Sequence, residues 1–330
     1  MLLGIPVLLL LLVLVQRVGG SPLADAPKKT LVHYGYYYGL SPRDGLADFA
    51  NHTTTTFVLN SATTGGAPPT PNITLLAERD IADLTRLKAL NMTAIVYSVQ
   101  RVFGSQANLS KTWQSDLALY WRLLEPHSDN ILAWYPADEP TQLQVKEGIY
   151  GTMTKALKQV APHIPILAVI TPSATLGMEQ GTFKLPPEVD WFGMDNYHCW
   201  GRAECEAPPP PDQHPAATPC CCWMNRTMPH NLAVIESYAQ QHGGKMVVVP
   251  DGMSVAANLS MVPSAAEQQL RADRDKKYFQ WCDSHDLCVA MLVFLWNTVG
   301  GREDIFGVSA QPIVRSVLTE IGTEIKGRPR

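Results

Sequence analysis

The chain has 330 residues, and its 26 Lys+Arg against 30 Asp+Glu give a formal net charge of −4. That balance excludes the basic footprint of a nucleic-acid binder, and 46% hydrophobic against 17% charged residues excludes global disorder. The length suits one large barrel or two ordinary domains.

The first elements set the compartment. Residues 1–20 hold the apolar run MLLGIPVLLLLLVLVQ, then Arg17 and the small Gly19 and Gly20. The run is too short for a comfortable membrane span and is read as a cleaved signal peptide. A secreted mature chain with no stable membrane insertion is therefore expected. Six Asn-X-Ser/Thr triplets agree with that route as glycosylation acceptors: Asn51, Asn72, Asn91, Asn108, Asn225 and Asn258.

From there one pattern recurs: a short apolar run, a polar loop, a helical stretch. The predicted strands are 31–37, 55–60, 93–98, 131–135, 164–170, 190–195, 245–250 and 289–296. Most are continuous apolar runs, as expected of parallel strands covered on both faces. Helical spacing appears over 74–90, 113–125, 142–160, 231–241, 265–282 and 313–326, with only a short helical piece in the fifth unit. Eight such units predict a single (β/α)8 barrel over residues 21–330. A doubly wound open sheet competes, but no Gly-X-Gly-X-X-Gly or Walker loop follows any strand.

Residues 197–228 interrupt the sixth unit with four consecutive prolines and five of the seven cysteines: Cys199, Cys205, Cys220, Cys221 and Cys222. In an oxidising compartment these are expected to form disulfides rather than a zinc site, and the odd count leaves one thiol over. Cys282 and Cys288 flank a short polar segment and are expected to staple a helix end to the next strand.

The sharpest chemical signal is ILAWYPADEP, where the fourth strand ends in Asp138-Glu139-Pro140. In a barrel this sets two carboxylates on the C-terminal face, where a Glu can protonate a leaving oxygen and a neighbouring Asp can tune or orient it. A plain helix start, with Pro and acidic residues near the positive end of the dipole, competes with that reading. Asp195 and Tyr197 at the end of strand six are candidates for orienting a sugar or stabilising charge, against a role in bracing the loop. Trp296 at the end of strand eight is a candidate sugar platform, against an ordinary core Trp. Strand one offers Tyr34, Tyr36, Tyr37 and Tyr38, and Asn60 and Gln100 are further polar candidates at strand ends. No Gly-X-Ser-X-Gly elbow and no His-Glu-X-X-His motif is present, and no cofactor or metal is expected.

A fourth strand carrying Trp134 and Tyr135 and ending in Asp-Glu-Pro resembles the acid/base segment of barrel-fold glycoside hydrolases. In the clan A retaining enzymes the Glu before Pro is the acid/base and a Glu on strand seven is the nucleophile. In the substrate-assisted N-acetylhexosaminidases an adjacent Asp holds the substrate's acetamido group, which attacks internally. The resemblance implies Glu139 as acid/base, Asp138 as partner, Trp134 and Tyr36 in a sugar groove, and a carbohydrate substrate. This sequence departs from clan A at strand seven, which ends VVVPDGMS, so Asp251 stands where the Glu is expected and is the candidate catalytic carboxylate there. Retaining carboxyls stand about 5–5.5 Å apart, and Asp is one methylene short. The alternatives are a catalytically inactive barrel that binds glycans or a protein, and a metal-dependent phosphodiester enzyme using Asp138, Glu139 and Asp195.

Overall fold

Apolar, β-branched runs such as TTFV, TAIV, LAVI and KMVVV form strands because branched side chains pack well on a pleated surface. The computed structural model describes residues 29–37, 46–58, 72–104, 108–195, 228–256, 263–297 and 304–329. The expected signal peptide, and the insertion as far as residue 227, lie outside the described residues. Eight parallel strands make one sheet: β1 (His33–Tyr36), β2 (Thr55–Val58), β3 (Thr93–Val96), β4 (Ile131–Trp134), β5 (Leu167–Ile170), β6 (Trp191–Asp195), β7 (Lys245–Val249) and β8 (Cys288–Val293). Their hydrogen-bonded order is β4-β3-β2-β1-β8-β7-β6-β5. Across the β4/β5 seam, Trp134 bridges Ile166 in parallel, and its amide donates to the Pro165 carbonyl at 2.8 Å. The result is a nearly closed (β/α)8 barrel.

Side-chain alternation splits the core into two layers. Phe57, Ile95, Ala133, Leu167, Val169, Val247, Val249, Ala290 and Leu292 fill the barrel interior. Val58, Val96, Trp134, Ile170, Phe192, Val248 and Val293 face the helices. Gly35 stands where β1 and β2 approach too closely for any side chain, since a Cβ there would lie 2.0 Å from the Thr55 carbonyl oxygen.

The helices that cover the sheet are α1 (Leu46–Phe49), α2 (Ile73–Ala89), α3 (Val99–Phe103), α4 (Trp113–Leu124), α5 (Gln142–Lys146), α6 (Ile149–Val160), α7 (Pro172–Glu179), α8 (Met228–His242), α9 (Ala265–Asp283) and α10 (Pro312–Lys326). Side chains start two of the longest. Asn72 Oδ1 accepts from the Leu75 amide, and Ser264 and Glu267 form a capping box on α9. The single helix expected over 142–160 is two helices, because Gly148 adopts φ 75° and breaks the run. An antiparallel pair, Ser254–Ala256 with Asp304–Phe306, joins the segments that follow β7 and β8. A disulfide links Cys282 to Cys288, tying the end of α9 to the start of β8. Asn51, Asn72, Asn91 and Asn108 are all exposed, while Asn225 and Asn258 lie outside the described residues.

Candidate functional site

The turn that leaves β4 carries both acidic residues. Glu139 adopts φ 43°, a left-handed conformation that a non-glycine side chain resists by of order 1–3 kcal/mol. Two residues on, α5 starts with its own cap. The Thr141 amide donates to Gln144 Oε1 at 2.6 Å, and the Gln144 amide donates to Thr141 Oγ1 at 3.2 Å, a reciprocal cap on that helix. Asp138 and Glu139 are both half-buried, and they serve different spaces.

Asp138 is held over the barrel axis. Its Oδ1 accepts hydrogen bonds from Tyr37 Oη at 2.6 Å and from Tyr135 Oη at 2.7 Å, and the two phenols also contact each other. Tyr37 packs on Phe57 with ring centroids 4.6 Å apart, and Tyr97 packs on Tyr135 at 5.3 Å. These rings close the top of the interior. Burial, and then the charge of Asp138, push the Tyr135 hydroxyl well above its ordinary pKa, so it stays protonated and donates. The charge of Asp195, buried at the end of β6, acts on Tyr135 in the same direction. The charges of carboxylates from strands four and six thus both act on one phenol.

Glu139 instead lines a cleft of about 430 Å³ beside α7. Thr141, Thr171, Ser173, Gln180 and Thr182 supply most of its polar surface. Thr171 Oγ1 and Ser173 Oγ lie 2.7 Å apart. A larger groove, about 580 Å³, runs between α7 and α8 and contains none of the residues expected from the sequence.

Other expected site residues lie elsewhere. Asp251 is 1% exposed, and its Oδ2 is 3.5 Å from Nη1 of Arg274, which is 3% exposed on α9. Its carboxylate is thus committed to the helix layer. Trp296 is 2% exposed and packs on Tyr36 at 4.8 Å and on Phe49 at 5.4 Å. Tyr36 Oη meets His52 Nε2 at 3.1 Å. Trp134 packs on Trp121 of α4 at 5.9 Å. All three aromatic rings belong to the helix-facing layer, not to the mouth. Tyr197, Asn60, Cys199, Cys205, Cys220, Cys221 and Cys222 lie outside the described residues. The role of Tyr135 in holding Asp138, and the hydroxyl lining of the cleft, were not anticipated. Beside Asp138-Glu139-Pro140, the Thr141-X-X-Gln144 spacing is a further capping signal for the helix that follows the turn. Among the described residues no group of three or more His, Cys, Asp or Glu is placed to hold a metal ion, and no helix is long and apolar enough to cross a membrane.

No family model and no curated protein matches the chain. Solved structures do resemble it. A β-D-glucuronidase from Dictyoglomus thermophilum superposes with a TM-score of 0.56 at 12% identity, covering 90% of this chain and 51% of that one. A β-galacturonidase from Eisenbergiella tayi bound to galacturonate gives a TM-score of 0.57 at 10% identity, covering 90% and 51%. A xylanase from Thermotoga maritima gives 0.53 at 10%, covering 90% and 97%. The chain therefore spans about half the length of the two uronidases and nearly all of the xylanase. At these identities the likeness establishes the fold, a (β/α)8 barrel of the kind these glycosidases use.

Proposed function

We propose that the protein is a secreted glycoside hydrolase in which Glu139 is the general acid and base. The observation that carries this reading is the turn after β4. It holds Glu139 in a left-handed conformation on the wall of an open cleft, beside an Asp138 anchored by two phenols. Strain at a residue that faces a cleft points to function. The structural likeness to barrel glycosidases supports the same reaction class, and the exposed sequons and the disulfide support an oxidising, secretory route.

In this reading the Glu139 carboxyl donates its proton to the glycosidic oxygen as the bond to the anomeric carbon breaks. It then takes a proton from the water that completes hydrolysis. A clan A enzyme would supply the attacking carboxylate from strand seven, but Asp251 is buried against Arg274. That geometry favours the substrate-assisted route. There the carbonyl oxygen of a substrate acetamido group attacks the anomeric carbon and water later reopens the ring so formed. Because Asp138 and Glu139 face different spaces, Asp138 orients the amide only of a sugar that reaches from the cleft over the turn to the barrel mouth. Asp195, with its charge acting on the same phenol as Asp138, belongs to this constellation as an electrostatic partner.

Glu139→Gln preserves the fold and lowers turnover of aryl N-acetylhexosaminides by about 10²–10⁴-fold, the range of a lost acid/base. Near-normal turnover in that variant removes Glu139 from the mechanism. A thiazoline inhibitor that blocks the wild type supports the acetamido route, and an active enzyme indifferent to it requires a protein nucleophile. Glycan binding without cleavage, unaltered by Glu139→Gln, identifies a catalytically inactive binding barrel instead.

A further inference from the structure

The chemistry of the cleft wall narrows the kind of sugar that Glu139 meets. Hydroxyls of Thr141, Thr171, Ser173 and Thr182 and the carboxamide of Gln180 line it, and among the described residues Glu139 is its one ionisable group. No described Arg, Lys or His contributes to the lining. Hydroxyls and carboxamides both donate and accept hydrogen bonds, as sugar hydroxyls do. A carboxylate on the ligand is acceptor-only, and recognition of such groups ordinarily calls on Arg or Lys. On this wall it would meet no cation, and it would stand beside a carboxylate that is itself charged for half of the proposed cycle. Like charges set side by side discriminate against the wrong ligand by repulsion, in addition to any missing contact.

We infer that the cleft beside Glu139 takes a neutral, hydroxyl-rich sugar unit and rejects uronates. The inference rests on the proposed hydrolytic role of the site, and it separates this protein by specificity from the two uronidases whose barrels it resembles. Selectivity would then come from the absence of a positive side chain on the wall formed by α7. Ser173 is the position to test, because it is exposed on that wall and an Arg there can be accommodated in solvent.

The experiment uses the full wild-type chain, so that the Glu139 carboxylate stays in place, on an array of matched neutral and uronate oligosaccharides joined by hydrolysis-resistant thioglycosidic links: xylo- and N-acetylglucosamine oligomers against oligogalacturonates and glucuronoxylo-oligomers. Neutral glycans are expected to bind, with uronate counterparts weaker by about tenfold or more, a difference of ~1.4 kcal/mol. Adding Ser173→Arg is expected to shrink that gap. Uronate binding equal to or stronger than neutral binding overturns the inference, as does an array on which no glycan binds. The proposed reaction is judged separately, by wild-type turnover of the ordinary O-linked forms of whichever glycans bind. Uronate selection with turnover intact therefore sinks the specificity alone, and neutral binding without turnover sinks the hydrolysis alone.

Discussion

The imidazole of His52 is enclosed by aromatic rings, with Tyr36 at 6.1 Å, Trp296 at 6.0 Å and Tyr34 at 6.4 Å between centroids. Burial, reinforced by the nearby Lys326 ammonium, pushes its pKa down to about 4. In the unfolded chain the ordinary value of about 6.5 returns. Between those values the unfolded state binds the extra proton, so stability rises with pH across that window and is lost as pH falls through it. Thermal melts of the wild type are expected to fall steadily from pH 6.5 towards pH 4. His52→Gln, which cannot titrate, is expected to lose part of that slope while keeping a hydrogen-bonding group near Tyr36. An unchanged slope in the variant would place the acid-sensitive step elsewhere. Glu139 poses the opposite problem at this scale. Its backbone strain is a cost to stability, and Glu139→Gly is expected to stabilise the fold by a few tenths to about 1 kcal/mol while removing the acid/base group. A variant that is both more stable and inactive would show strain retained for function.

At the scale of elements, α9 is tied to the end of β7 by buried charge rather than by apolar contact alone. Arg274 approaches Asp251, and Arg271 donates to Gln311, whose own carboxamide donates to the Gly252 carbonyl at 2.9 Å. Burial and the charge of Asp251 push the Asp275 carboxyl well above the usual range. Removing one partner of a buried pair strands the other, so Arg274→Met is expected to cost about 3–5 kcal/mol in urea unfolding. A loss below about 1 kcal/mol would mean that Asp251 finds another partner or takes up a proton. This tie was not legible in the sequence, because it joins positions more than twenty residues apart with no local pattern between them. The strands were legible as continuous apolar runs. That same continuity hid their phase, since a strand buried on both faces shows no alternation to say which residues point inward. Hence Trp134, expected at the sugar, packs on a helix, and Tyr135 beside it, given no role of its own from the sequence, holds Asp138. Similarly, α1 and α3, with four and five residues, are too short to display a helical period. The acidic turn itself was visible, since Asp-Glu-Pro after an apolar run marks a strand end whichever way the strand faces.

For the whole molecule, the strands are unevenly laced. β6 and β7 are in register over five residue pairs and β1 and β8 over four, while among the described residues the β4/β5 seam is paired at the single bridge of Trp134 with Ile166, just before β5. The cleft that Glu139 lines opens beside this seam, bounded by the turn after β4 and by α7 after β5. Few hydrogen bonds hold its two walls together, so the site sits where the barrel separates at least cost. Local opening free energy scales with the bonds and apolar contacts that must be broken. In hydrogen exchange followed by mass spectrometry, peptides covering 131–135 and 164–170 are expected to exchange about tenfold faster than those covering 190–195 and 245–249, a difference of ~1.4 kcal/mol. A bound oligosaccharide that spans the cleft would bridge the seam, and the difference should then narrow in Glu139→Gln with ligand present. Uniform protection around the barrel, with and without sugar, would mean that the helices rather than the strand pairs close the seam.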